Sequence, residues 1–105
     1  MVSEQDIRQA LAILDDKRAA EARAAHEFFS DLTKTVLAEL MLESNESSAA
    51  AREMHARAHP KFREHLEKVG KYARMDYEFR QQQSAASAKI EIFRTLSANE
   101  RNATR

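Results

Sequence analysis

The stretch "MHARAHPKFREH", residues 54–65, holds the histidines that could bind a metal ion. His55 and His59 are four residues apart, which would place two imidazoles on one face of a helix, a spacing that suits zinc. His65 could supply a third ligand. Pro60 interrupts that face directly after His59, and the sequence has no cysteine to complete a tetrahedral shell. We therefore predict no metal and no cofactor. The candidate ligands are the three histidines, with Glu64 as the alternative to His65.

The same region is rich in basic residues, which could contact a nucleic-acid backbone. Seven of them lie between positions 52 and 74, namely Arg52, Arg57, Lys61, Arg63, Lys68, Lys71 and Arg74. Phe62 and Tyr72 lie among them and could stack on bases. Alternatively, both rings are core residues and the charges pair with carboxylates four residues away, such as Glu64 or Glu67. We expect this structural role and keep nucleic-acid binding as the second hypothesis.

The formal net charge is zero, but the charges are unevenly distributed along the chain. Residues 1–50 carry five basic and ten acidic groups, whereas residues 51–105 carry twelve basic and seven acidic groups. A dedicated nucleic-acid binder usually has a basic excess, which this chain lacks. The asymmetry favours packing of one half against the other, or against a second copy.

No set of residues in the sequence forms a recognisable catalytic site. There is no phosphate-binding loop, and no nucleophile is paired with a base. Serines such as Ser44, Ser47 and Ser48 stand where serines cap helices. We therefore expect a protein that is not an enzyme.

The composition is typical of a helical protein. One glycine and one proline in 105 residues are too few for the many turns of a β-sandwich or an α/β fold. The N-terminus has no basic region followed by an apolar core, and no apolar run approaches the roughly 20 residues that span a bilayer. We expect an all-α, soluble, cytoplasmic protein that does not contact a membrane.

The spacing of apolar residues predicts three helices in a single domain, residues 1–105. Ser3 caps a first helix over about 4–43, with a break near Asp15 as the alternative. A loop over about 44–48 follows, and Ser47 or Ser48 caps a short helix over about 49–58. The last helix begins at Pro60 and runs over about 60–98.

The two long helices are expected to form an antiparallel hairpin in which residue i lies opposite about residue 104 − i. This alignment places Phe29 near Tyr72, and Leu14 near Ile90 and Phe93. A single seam cannot cover all the apolar side chains, so we expect a homodimer that forms a helical bundle and binds an unknown protein partner. The predicted interface comprises Phe28, Phe29, Leu32, Val36, Leu40, Phe62, Leu66, Tyr72, Met75, Phe79, Ile90 and Phe93.

The segment "YEFRQQQSAASAKIEIFRTLSANERN", residues 77–102, combines an aromatic, charged helix with an alanine- and serine-rich middle and the closing run "KIEIFRTLSANER". It resembles the C-terminal segment of small helical proteins encoded by bacteriophages and prophages. The resemblance covers about a quarter of the chain. It implies a phage-derived accessory or inhibitor protein that acts by binding a partner, and it assigns no functional residue.

Overall fold

The computed structural model describes residues 2–103 and contains four α-helices within that range. They are α1 (Glu4–Leu14), α2 (Lys17–Glu43), α3 (Ala49–Ala58) and α4 (Pro60–Ala103). The described residues contain no β-strand. The prediction of an all-α protein is therefore confirmed, while the last helix continues five residues beyond its predicted end at 98.

Three helix starts follow from local side-chain chemistry, as the sequence predicts. The Ser3 hydroxyl accepts the Asp6 N–H at 3.2 Å, and the Asp6 carboxylate accepts the Ser3 N–H at 2.8 Å, which completes a capping box. Ser48 caps α3 through the Ala51 N–H at 3.1 Å. His59 takes an extended backbone with ψ 137°, as a residue before proline prefers, and α4 starts at Pro60.

The single first helix over 4–43 is wrong, and the alternative break near Asp15 is present. Asp15 ends α1, and the Asp16 carboxylate accepts the Arg18 N–H at 3.0 Å, as an N-cap residue of α2 does. Aspartate competes with the helix for backbone hydrogen bonds. A carboxylate also favours a helix N-terminus over a C-terminus, so the chain restarts its helix here.

The chain divides into two compact units. The central unit comprises Glu21–Asp76, and the terminal unit comprises the described residues up to Ala20 together with those from Tyr77 onward. The single domain of the sequence analysis stays a prediction.

In the central unit, α2 and α4 run antiparallel. Phe29 stacks on Tyr72 with ring centroids 5.2 Å apart, which confirms the predicted proximity of the two residues. At the loop end, a cluster of Leu40, Phe62 and Ala56 of α3 forms the core. The half-buried side chains of Val36, Leu37 and Met41 pack against this cluster.

In the terminal unit, Leu14 of α1 lies beside α4 residues Arg80, Gln83, Ser84 and Ser87, three or more residues before the predicted Ile90 and Phe93. In the central unit, the contact of Phe29 with Tyr72 is also three residues earlier on α4 than the 104 − i alignment places it.

The less exposed side of α4 follows a heptad spacing. Successive positions three and four residues apart are all buried or half-buried, from Phe62 to Ser97. This spacing is typical of a helix that keeps one face against a neighbouring helix over many turns. The positions are Phe62, His65, Val69, Tyr72, Asp76, Phe79, Gln83, Ala86, Ile90, Phe93 and Ser97.

Leu40 and Leu42 on α2 offer a matched test of the central core. Leu40 is 4% exposed and Leu42 is 86% exposed. We expect Leu40→Ala to lower the free energy of unfolding by about 2–4 kcal/mol, because it leaves a cavity beside Phe62. Leu42→Ala should change it by less than about 0.5 kcal/mol. Urea unfolding at one fixed protein concentration measures both, and equal effects would contradict this core.

The pKa of Asp16 tests the α2 start. Side-chain hydrogen bonds from Arg18, followed by the Arg18 backbone N–H, hold the pKa of Asp16 below its ordinary value of 3.8. This interaction therefore stabilises the fold above the unfolded-state pKa and is lost as pH falls through the lower folded-state value. In an NMR titration, Arg18→Ala should raise the pKa of Asp16 part of the way to 3.8. Arg23→Ala, which removes a different ion pair, should leave it unchanged.

Candidate functional site

The structure separates the three candidate metal ligands. The rings of His55 and His59 lie 6.3 Å apart between centroids, but His65 is 8% exposed and bonded to Thr33 of α2. The Nδ1 atom of His59 accepts the Lys61 backbone N–H at 3.0 Å, so this ring caps the start of α4. No group of three histidine, cysteine, aspartate or glutamate residues within 2–103 is placed to hold a metal ion.

Two of the seven predicted basic residues are bound to their own helix and loop. Arg52 donates to the carbonyl oxygens of Glu46 and Ser47 at 3.2 and 3.4 Å. Arg57 pairs with Glu53 at 2.9 Å. These arginines therefore fix the loop before α3 and the surface of α3.

Two lysines lie over aromatic rings. Lys68 Nζ is 5.9 Å from the centroid of Phe29, and Lys71 Nζ is 5.6 Å from that of Tyr72. The sequence predicted ion pairs with Glu64 and Glu67, but neither pair forms in the part of the chain that the structure describes. A ring face attracts a cation, and the lysine stems cover apolar surface there.

The remaining basic residues and the two aromatic candidates differ in exposure. Lys61, Arg63 and Arg74 are exposed. Phe62 is 4% exposed inside the central core, so it has no surface on which a base could stack. Tyr72 is half-buried, and Phe29 already occupies one of its faces.

The predicted interface residues divide by exposure. Leu40 and Phe62 are buried inside the central unit, and only Phe28 and Leu66 are exposed, at 58% and 46%. The others are half-buried, namely Phe29, Leu32, Val36, Tyr72, Met75, Phe79, Ile90 and Phe93. The predicted set therefore mixes core and surface positions, and its role as an interface stays a prediction.

One group of side chains combines exposure with ordered aromatic contacts. Phe28 meets Phe29 edge-on at 5.3 Å between centroids, and Phe29 is stacked on Tyr72. Lys68 and Lys71 lie over the second and third rings. We call these five residues the aromatic–lysine patch. It is the site whose geometry best suits recognition of another molecule, because its largest exposed side chain is a rigid aromatic ring.

Beside this patch, two polar pairs cross between α2 and α4. The Nδ1 atom of His26 lies 2.9 Å from an Asp76 carboxylate oxygen, and Nε2 of His65 lies 2.9 Å from the Thr33 hydroxyl. Asp76 is 4% exposed. Neither pair was predicted from the sequence, although the heptad positions of His65 and Asp76 place them on the inner side of α4.

The hydrogen bonds of Thr33 assign the proton on His65. The Thr33 hydroxyl donates to the Phe29 carbonyl at 3.2 Å, so its single hydrogen is used. It must then accept from His65, which places a hydrogen on Nε2 of that ring. The pair is therefore a directed contact between the helices.

A catalytic role for the His26–Asp76 pair would need a nucleophile within reach of the imidazole. A carboxylate on Nδ1 can orient an imidazole that acts as a base, and the base must then reach a nucleophile. Within residues 2–103, His26 makes no hydrogen bond to a hydroxyl group. The arrangement can hold two helices in alignment, which requires only the contact that is present.

Comparisons of this chain with protein-family models, curated proteins and solved structures found no match. Among the described residues, no helix combines the length and the apolar character that crossing a bilayer requires.

The Thr33–His65 pair can be tested by substitution. We expect Thr33→Val to lower the free energy of unfolding by about 1–3 kcal/mol, because it leaves the buried imidazole N–H without its acceptor. The double variant Thr33→Val/His65→Leu should be more stable than Thr33→Val alone, since both polar groups are then removed. Urea unfolding at a fixed protein concentration measures these values. A Thr33→Val variant as stable as the parent protein would contradict the assigned hydrogen bond.

Proposed function

We propose that this protein is a non-enzymatic helical interaction module that acts by binding another protein and that self-associates as a homodimer. One observation carries the proposal. Nine large apolar side chains are exposed among the described residues, and no large side chain there is fully buried. They are Leu11, Leu14, Phe28, Leu42, Met54, Leu66, Tyr77, Ile92 and Leu96. Contact with another protein surface would remove such side chains from water.

The pattern of α4 supports the proposed mode of assembly. Its inner positions alternate three and four residues apart over most of the helix, as in helices that assemble into coiled coils and bundles. A hairpin presents only two helices, so each inner face is covered from one side. Two hairpins together form a four-helix bundle, which covers such faces on both sides.

We propose further that the protein is not an enzyme. The histidine and aspartate that would be of most catalytic interest, His26 and Asp76, are engaged with each other across α2 and α4. Binding and assembly use the apolar surface and need no activated nucleophile.

The phage origin and the cytoplasmic location of this protein are also proposals. The similarity of residues 77–102 to C-terminal segments of phage proteins suggests an accessory or inhibitor protein of phage origin, acting in the cytoplasm. The partner would then be a protein, and the exposed apolar side chains would be the groups that meet it.

Light-scattering mass tests the homodimer directly. We expect twice the chain mass of 12.0 kDa at micromolar concentrations. A monomer at all concentrations would contradict the proposed self-association.

A titration with single-stranded and duplex oligonucleotides separates protein binding from nucleic-acid binding. We expect no binding at moderate salt, because Phe62 is buried and Lys68 and Lys71 lie over the protein's own rings. Binding that weakens steeply with salt, and is lost in Lys61→Glu/Arg63→Glu, would favour the nucleic-acid hypothesis instead.

A further inference from the structure

We propose that a second copy of this chain docks on the aromatic–lysine patch, with α2 of one copy lying over α4 of the other. The inference rests on the proposed self-association and names its surface and its geometry. It concerns the central unit alone, where α2 and α4 are aligned by direct contacts.

Because α3 does not cover the patch, its exposed aromatic surface is open to a partner. Ala56 of α3 packs against Leu40 and Phe62, at the loop end of the central unit. Phe28 lies three helical turns earlier on α2 and remains 58% exposed. Its own contact with Phe29 is edge-on, so a face of the Phe28 ring is available to a partner.

The two helices that border the patch carry opposite charge. Within the central unit, α2 has five acidic and two basic residues, and α4 has five basic and three acidic residues. Asp31 and Glu39 follow Phe28 by three and eleven residues, which keeps both on the Phe28 side of α2. Lys61, Lys68 and Lys71 share a side of α4 through spacings of seven and three.

A two-fold axis parallel to the helices would match these charges. Such an axis, lying in the interface, places α2 of one copy over α4 of the other, and the reverse, so every contact occurs twice. The contact of Phe29 with Tyr72 sets Asp31 at the height of Lys68 and Lys71. The cluster of Leu40 with Phe62 sets Glu39 at the height of Lys61. Each acidic residue would then face lysines of the other copy.

The surface carries both acidic and basic side chains, which favours a second copy of the chain over other binding partners. Phosphates of a nucleic acid would meet Asp31 and Glu39 beside the lysines, which opposes binding. An acidic or a basic protein would match one helix and be repelled by the other. A surface that is acidic on one side and basic on the other is complementary to itself under the two-fold rotation.

Two charge-reversal variants, prepared separately and then mixed, test this geometry. The first variant is Asp31→Lys/Glu39→Lys, and the second is Lys61→Glu/Lys71→Glu. Each pure variant would place like charges against each other, so we expect its dimer dissociation constant to rise by at least about tenfold. An equimolar mixture restores opposite charges at both copies of the contact, so we expect a mixed dimer with an affinity near that of the parent protein.

The readouts are light-scattering mass at low salt and native mass spectrometry, which distinguishes the mixed dimer from either pure dimer. Circular dichroism records whether each variant is folded. If a pure variant loses helicity because the fold needs the dimer, recovery of helicity on mixing supports the same contact. A mixture that stays monomeric overturns the proposal, as do pure variants that dimerise like the parent protein.

Phe28→Glu provides a second test, with Met54→Glu as its matched control. Both residues are exposed and lie in the central unit, but Met54 lies on α3, which does not cover the patch. We expect Phe28→Glu to abolish the dimer and Met54→Glu to leave it intact. If neither variant loses the dimer, the proposed contact at the patch is wrong, but self-association itself still stands. A parent protein that is itself monomeric overturns the proposed self-association as well.

Discussion

The alignment of α2 on α4 in the central unit depends on two polar pairs on either side of an aromatic stack. Apolar side chains alone would tolerate a slip of one heptad, since one large residue can replace another against the same face. A slip would break both polar pairs while Asp76 and His65 stay buried, and a lost buried hydrogen bond costs more than a change of apolar partner. The polar pairs therefore fix the position at which Phe29 stacks on Tyr72. This in turn fixes the arrangement of the side chains in the aromatic–lysine patch.

The same alignment explains why so much apolar surface stays exposed. A pair of helices covers one face of each, and the central unit has only the ten residues of α3 with which to cover more. Because α3 packs at the loop end, Phe28 is left in water. Short helical chains commonly recover this lost burial by association, which links the size of the chain to its proposed function.

The sequence predicted most of what local chemistry controls. The start of α3 depends on the Ser48 side chain and the start of α4 on the Pro60 ring. Each helix start could therefore be predicted from a single residue. The break near Asp15 is only an alternative in the sequence. The polar residues 15–18 interrupt the apolar stripe, but no glycine or proline stops the backbone there, so the capping geometry decides. The pair of His26 and Asp76 was missed, since fifty residues separate its members and no local pattern joins them.

The histidine-rich stretch shows how one proline divides residues that look like a single site. Pro60 holds the backbone of His59 in an extended conformation. The His59 ring then accepts the Lys61 N–H and does not join His55 as a metal ligand. Six residues later, His65 falls on the heptad face of α4 and is drawn inward to α2. The polar groups of this stretch thus position helices. We therefore propose that recognition uses side chains without reactive groups, and the aromatic–lysine patch is the surface to test.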